Sequence, residues 1–389
     1  MEKLISKYRE HLRNTTTSFV RYLEKSIEWD TRLIAILGAR GVGKTTLLLQ
    51  HIKLHDDPSK SLYVSADDIY FSQHTILDLA EKFYHSGGLH LYIDEIHRYQ
   101  NWSVEIKNIY DEMPGLSVIY TGSSVLDLEK GGADLSRRKL QYYMYGLSFR
   151  EYLTFAHGIQ VDVASLDNII KGEVYLPTEY RPLEYFSQYL RDGYYPFFKE
   201  KGYLARLNSV INTTLEVDIP TFAGFGIATS KKLKRLMYII AQSVPFKPNM
   251  AKIARDIDIS RNSLGDIFAY LEKSGMISQL RTDVKGISLL GKVDKVYLDN
   301  TNMAYALTET SPDIGNIRET FFYSLTRVTH TPLASRISDF TIGDYTFEIG
   351  GKNKGHRQIQ GLSNAFVVKD DIETAGMTTL PLWTFGMMY

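Results

Sequence analysis

The chain predicts an α/β fold built around a parallel sheet, and three observations predict it. Leu33-Ile34-Ala35-Ile36-Leu37 is an apolar run with no polar alternation, as a strand covered on both faces requires. Gly38-Ala39-Arg40-Gly41-Val42-Gly43-Lys44-Thr45 follows without a gap and fits the pattern G-x-x-x-x-G-K-[ST], after which Thr46 to His51 reads as the start of a helix. A second strand-like run, Leu89-His90-Leu91-Tyr92-Ile93, ends on the acidic pair Asp94-Glu95. Strand, glycine-rich loop and helix in that order make a P-loop, so the chain is expected to bind ATP or GTP. The competing reading is a glycine-rich turn with a surface Lys, and the flanking strand and helix count against it.

Each position has a chemical task. Glycines let the backbone N–H groups from Gly38 to Thr46 close around phosphates, Lys44 reaches the β and γ phosphates, and the Thr45 hydroxyl ligates Mg²⁺. Asp94, about fifty residues on, is placed as a Walker B acid on the metal's shell, with Glu95 orienting and deprotonating water. A third apolar run, Leu116 to Tyr120, delivers Thr121-Gly122-Ser123-Ser124 to the same sheet edge. In open α/β sheets that edge is where ligands bind. Thr121 or Ser123 either senses the γ phosphate and positions water, or is only a turn former.

Length and composition set the frame. The 389 residues exceed one hydrophobic core, and an apolar content of 44% is that of a globular chain, so two or three domains are expected. Basic and acidic residues number 45 each, a net charge of zero, so no global field draws the chain to nucleic acid or membrane. With no Cys, disulfides and thiolate metal sites are excluded. The charged first ten residues lack the apolar core of a signal peptide, and no stretch suits a membrane helix; a cytoplasmic protein with no membrane partner is expected.

Walker A, Walker B and the polar strand end are followed by Asp134-Leu135-Ser136-Arg137-Arg138 and by Tyr145-Gly146-Leu147-Ser148-Phe149-Arg150-Glu151-Tyr152. This series resembles the prokaryotic AAA-type ATPases that carry a winged helix and a restriction-endonuclease-like C-terminal domain. In that group an Arg precedes the next strand and a P-L-S-F-x-E stretch follows it; Arg138 matches the Arg, and Gly146 stands where the Pro would be. The resemblance makes Arg138 a candidate finger for γ phosphate charge, within its own chain or toward a neighbour in a homo-oligomer. The bland reading of Arg138 is an exposed basic pair before a strand. Arg191-Asp192-Gly193-Tyr194-Tyr195-Pro196 resembles the group's G-G-x-P turn with Tyr194 at the second Gly, and its aromatics read as packing.

Residues Asn249 to Ile257 read as a helix, and Ser260-Arg261-Asn262-Ser263 opens another, with Ser260 as N-cap and Gly275 as stop. Leu264, Ile267, Phe268 and Leu271 form one buried stripe, leaving Arg261, Asn262, Ser263, Asp266 and Tyr270 pointing elsewhere. With strands over Met276 to Thr282 and Lys292 to Leu298, the segment resembles a winged helix, whose usual partner is double-stranded DNA and whose other use is protein docking. Arg261, Asn262 and Ser263 are the candidate DNA contacts. Lys231-Lys232-Leu233-Lys234-Arg235 is either a phosphate contact or a solvated helix face.

Near the C-terminus, Asp339-Phe340-Thr341-Ile342 and Tyr345-Thr346-Phe347-Glu348-Ile349 alternate with period two around the turn Gly343-Asp344. That turn sets Ile342 against Tyr345, Phe340 against Phe347 and Asp339 against Glu348, and two facing carboxylates need a metal, a Lys or a proton between them. The pair resembles the acids of a PD-(D/E)xK nuclease core, with Glu319 as an additional upstream acid. Gly350 stands where that family has its Lys. Either Lys352, two residues on, folds back into the site, or the domain is degenerate and does not cleave.

The expectation is therefore an AAA-type parallel-sheet P-loop domain over 1–158, a helical and winged-helix part over 159–298, and a nuclease-like α/β part over 299–389. Mg²⁺-dependent ATP hydrolysis is the expected chemistry. A slow nucleotide-controlled switch that docks on a partner, and an ATP-gated nuclease, are the alternatives.

Overall fold

Why the apolar runs stack is visible in the first of two compact units, residues 1–145. Its elements are α1 (Glu2–Asn14), β1 (Leu33–Leu37), α2 (Lys44–His55), β2 (Ser61–Ser65), α3 (Ile76–His85), β3 (His90–Asp94), α4 (Trp102–Glu112), β4 (Ser117–Gly122) and β5 (Leu140–Tyr143). All five strands are parallel, in the order β2-β3-β4-β1-β5. Such sheets need helices on their faces, so β1 is buried at every residue. The chain leaves β1 toward one edge and comes back to β5 on its other side. At such a switch point the strand carboxyl ends open a crevice. The P-loop follows β1 into that crevice.

The structure, a computed structural model, describes residues 1–124, 135–177, 179–242, 247, 249–282, 292–308 and 310–389, without the side chains of Met250, Arg261 and Asn262. Asp134, quoted above, lies outside the described residues. Among those described, no helix is long and apolar enough to cross a membrane.

The second unit, residues 146–389, begins with helices. They are α5 (Phe149–His157), α6 (Leu166–Lys171), α7 (Pro182–Asp192), α8 (Tyr203–Thr213), α9 (Ile219–Ala223), α10 (Ile227–Gln242), α11 (Met250–Asp256) and α12 (Arg261–Lys273). The antiparallel pair β6 (Ile277–Arg281) and β7 (Val293–Leu298) follows, then α13 (Thr301–Leu307) and α14 (Ile314–Thr326). Five strands close the chain: β8 (Leu333–Ala334), β9 (Phe340–Ile342), β10 (Tyr345–Gly350), β11 (Ala365–Lys369) and β12 (Thr379–Pro381), in the order β12-β11-β10-β9-β8.

Local chemistry explains the helix-turn-helix segment. The Ser260 hydroxyl accepts the Ser263 N–H at 3.1 Å and caps α12, while Leu264, Ile267, Phe268 and Leu271 are buried and Gly275 ends the helix at φ +69°. The aromatic region is core: Tyr194 and Tyr195 are buried, and Phe322 of α14 lies 5.0 Å from Phe340, 5.3 Å from Phe347 and 4.7 Å from Phe385, centroid to centroid.

The hairpin keeps the expected register, Ile342 against Tyr345 and Phe340 against Phe347, around Gly343 at φ +55°. The ladder stops there. The chain bends at Asp339, so Asp339 and Glu348 do not continue it as a facing pair.

Candidate functional site

At the head of α2, Gly43 has φ +102°, a conformation that a side chain resists, and Gly38 lies so near β5's end that a Cβ there would fall 2.3 Å from the Met144 carbonyl oxygen. The loop therefore turns tightly into the helix with its N–H groups free of side chains. Lys44 is buried, and its Nζ donates to the carbonyls of Gly38 and Ala39, each at 2.9 Å.

The decisive contact is between loop and sheet. Thr45 Oγ1 donates to Asp94 Oδ2 at 2.6 Å, and Tyr63 of β2 donates to the same oxygen at 2.9 Å. Strand β4 lies between β1 and β3, so Thr121 sits beside Asp94. Its hydroxyl donates to Asp94 Oδ1 and accepts the Glu95 N–H at 3.1 Å. Thr121 is completely buried and belongs to the strand, which corrects the reading of it as a turn former. It is a positioning residue for both acids. Hydroxyl plus carboxylate is a hard-oxygen donor set that suits Mg²⁺, so the residues fit the ion that a P-loop takes.

Glu95 follows at φ 53° and ψ 40°, the left-handed region, which a non-glycine residue enters at a cost of roughly 1–3 kcal/mol. Burial raises its carboxyl above the ordinary carboxylate range, with Lys44 opposing and Asp94 adding to the shift. Its Oε2 lies 3.4 Å from His97 Nε2, while His97 Nδ1 accepts the Ser123 N–H at 3.4 Å. That acceptor role puts the proton of a neutral His97 on Nε2, facing Glu95. Sequence reasoning missed Tyr63 and His97, for neither position carries a motif.

Residues 30–153 match the family model described as an AAA domain. This region is an AAA-type domain. Residues 183–313 match a domain of unknown function (DUF8612). An uncharacterized protein of Methanocaldococcus jannaschii, MJ1637, is 30% identical over 281 residues, covering 66% of this chain and 59% of that protein, so the chain spans only part of the relative's length. Among solved structures, AMPPCP-bound DnaA from Aquifex aeolicus aligns at 15% identity and TM-score 0.30 over 68% of this chain and 86% of that one. A DNA replication initiation factor aligns at 13% and TM-score 0.31 over 70% and 88%. The AAA-domain match supports nucleotide binding and hydrolysis.

Arg138 does not reach the phosphate crevice of its own AAA domain. It precedes β5, and a parallel strand carries its first residues to the sheet edge opposite the P-loop. There its guanidinium donates to Asp111 of α4, Nε to Oδ1 at 3.1 Å, and lies 6.0 Å from the centre of the Tyr110 ring.

In the second unit Glu319 and Asp339 do come together, but around a cation the sequence reading overlooked. Lys295 of β7 sits 2.9 Å from Glu319 Oε2 and 3.3 Å from Asp339 Oδ1, and Tyr297 donates to Glu319 Oε2 at 2.7 Å. Period-two alternation puts Lys295 and Tyr297 on one face of β7, a signal that was available. Glu348, fully buried, pairs instead with Lys354 and accepts from Ser338 Oγ at 2.8 Å. Lys352 is exposed, and its carbonyl accepts from Lys369. Of the two readings, the one in which Lys352 folds back into the site is corrected: Lys354 takes Glu348, and an ammonium lies between Glu319 and Asp339. These residues do not fit a nuclease metal.

On the helix-turn-helix, Ser263 is exposed on α12 beside Arg261 and Asn262. Of the basic run on α10, Lys232 pairs with Asp258 at 2.9 Å and Lys234 with Glu216 at 2.9 Å.

Proposed function

We propose that the AAA domain binds Mg²⁺ and ATP and hydrolyses the β–γ phosphate bond, and that the second unit docks on double-stranded DNA or a protein partner. The observation that carries the first part is the 2.6 Å contact between Thr45 and Asp94, beside Glu95 at the sheet's switch point. Lys44 gives up its carbonyl contacts for β and γ phosphate oxygens, and the loop N–H groups from Gly38 to Thr46 hold the phosphates. Bound Mg²⁺ supplies charge neutralisation on the phosphates. Glu95 takes the proton of the attacking water, and Thr121 holds both acids in register. ATP rather than GTP follows from the AAA class, in which Arg138 of an adjacent subunit would meet the γ phosphate.

The test is Mg²⁺-dependent phosphate release from ATP by wild type and Glu95→Gln, each with and without double-stranded DNA. Turnover that the variant lacks supports the hydrolase, and stimulation by DNA supports DNA as the docking partner. Nucleotide binding with no release above the variant would sink the hydrolase and leave a switch.

One observation favours that second reading, the 3.4 Å approach of Glu95 to His97. A base held by an imidazole turns over slowly until that contact opens, so His97→Ala separates the two readings by raising the rate or leaving it alone. A nuclease reading finds no support in the Lys295 cluster. The segment over α10 to β7 acts as a winged helix in this proposal, with Arg261, Asn262 and Ser263 at the partner.

A further inference from the structure

Helix α2 carries a second polar constellation at the end remote from the P-loop. His51 and His55 are one turn apart on it, and Glu24, in the 3₁₀ turn Tyr22–Ser26 ahead of β1, reaches both. Glu24 Oε1 lies 3.3 Å from His51 Nδ1 and 3.1 Å from His55 Nε2, and the three ligand atoms fall within 4.8 Å of one another. We propose that Glu24, His51 and His55 bind one divalent transition-metal ion of the zinc class.

Geometry favours this over two independent hydrogen bonds. Zinc bonds of 2.0–2.1 Å at the tetrahedral angle set neighbouring ligand atoms about 3.3–3.4 Å apart. The two separations from Glu24 Oε1, 3.3 and 3.1 Å, lie close to that value, and the two imidazole nitrogens are within 4.8 Å of each other. Ligation through Nδ1 leaves the other nitrogen of His51 carrying its proton, and that Nε2 faces Asp56 Oδ1 at 4.0 Å. A carboxylate behind a metal-bound imidazole orients the ring and raises its basicity. Asp56 is itself held by Ser61 at 2.7 Å and Tyr92 at 2.8 Å. Trp29 fixes the ring from its face, stacked at 3.6 Å with an interplanar angle of 13°.

The remaining coordination position opens to water, because His55 is half exposed, and the two imidazoles with one carboxylate suit zinc-class ions rather than Mg²⁺. The ion would pin the segment ahead of β1 to the last turns of α2. Three residues earlier in that segment, the Arg21 guanidinium donates to the Val42 carbonyl of the P-loop at 2.6 Å. The segment would thus be held at both ends of the helix that presents Lys44 and Thr45.

The test is a Co²⁺ titration of tag-free full-length protein without nucleotide or Mg²⁺, followed by ligand-field absorption, with Zn²⁺ added to displace the bound ion. One saturable equivalent is expected. His55→Gln, at an exposed position that leaves the fold intact, and Glu24→Gln should each weaken binding at least tenfold. Asp94→Asn, which removes the carboxylate of the nucleotide site, should leave it unchanged. No saturable absorption in wild type, full binding in both His55→Gln and Glu24→Gln, or its loss in Asp94→Asn would overturn the proposal.

Discussion

Replacing Lys295 with Met removes the ammonium between Glu319 and Asp339 while nearly conserving volume, so the effect is electrostatic rather than one of packing. The three side chains are 13%, 16% and 16% exposed, which leaves the carboxylates little water to replace the lost partner. Breaking a buried pair by removing one member costs about 3–5 kcal/mol, because a charge stays behind uncompensated. For a unit of this size, about 2–4 °C of melting temperature accompanies each kcal/mol, so the transition of residues 146–389 should fall by about 6–20 °C in scanning calorimetry. The sign with pH follows from Glu319, whose carboxyl burial and the Asp339 charge already raise against the pull of Lys295. Without Lys295 it rises further. A carboxyl whose folded value exceeds its unfolded one destabilises above the folded value, and the penalty vanishes below the unfolded one. The loss should therefore be large at pH 7.5 and shrink toward pH 4.5. Adding Glu319→Gln and Asp339→Asn to Lys295→Met should restore most of it, since neutral groups need no counter-charge. A fall under about 2 °C, or one equal at both pH values, would refute this reasoning and reopen a metal as the cluster's natural cation.

Glu95→Gln should lower phosphate release by about 10²–10⁴-fold, the range for a lost general base. Because Glu95 works deprotonated and burial raises its carboxyl, the wild-type kcat/KM should fall with acid at a midpoint above the ordinary value of 4.5; a lower midpoint in a pH profile contradicts this. Thr121→Val removes the hydroxyl that donates to Asp94 Oδ1 and accepts the Glu95 N–H, while Thr45 and Tyr63 still donate to Asp94 Oδ2, and urea titration should show a loss of about 1–3 kcal/mol together with slower turnover. Gly146→Ala drives a Cβ to 2.3 Å from the Tyr194 ring, so it should cost about 1–3 kcal/mol in wild type and clearly less in a Tyr194→Gly background, read as a double-mutant cycle.

Much of the nucleotide site was legible because its chemistry is local: β1, the loop and the head of α2 are contiguous, so one short pattern carries strand, turn and helix together. Asp94 could be placed for a similar reason, since an acid ending a buried strand must arrive at the carboxyl edge of the sheet. Tyr63 reaches Asp94 through strand order, which no local pattern encodes, and His97 reaches Glu95 from the 3₁₀ turn that follows it, a position that carries no motif. The C-terminal hairpin shows the limit from the other side. Turn chemistry fixed the pairing of Phe340 with Phe347, but the bend at Asp339 and the choice of Lys295 and Lys354 over Lys352 depend on β7 and on residues beyond the two glycines. For Arg138 the sequence left its own site and a neighbour's both open for want of a direction: knowing that an Arg precedes a strand says nothing of which edge it occupies until the strand is known to be parallel.

Gly146 and Tyr194, far apart in the sequence, meet in space. The Tyr194 ring occupies the volume that any side chain at 146 would take, with three of its carbons within 2.5 Å of a Cβ built there. Tyr194 is buried, its N–H donates to Asn302 Oδ1 at 2.8 Å and its carbonyl accepts the Leu147 N–H at 2.7 Å, so it fixes the chain just ahead of α5. The neighbouring Ser148 and Glu151 form a capping box, the Glu151 N–H reaching the Ser148 hydroxyl at 3.1 Å and the Ser148 N–H the Glu151 carboxylate at 3.3 Å. Ser148-Phe149-Arg150-Glu151 is therefore a helix start, not a reactive group, and the chain ahead of it has to be held for that start. Here that constraint comes from an aromatic ring against a glycine, so the two positions act together and neither substitution can be read alone.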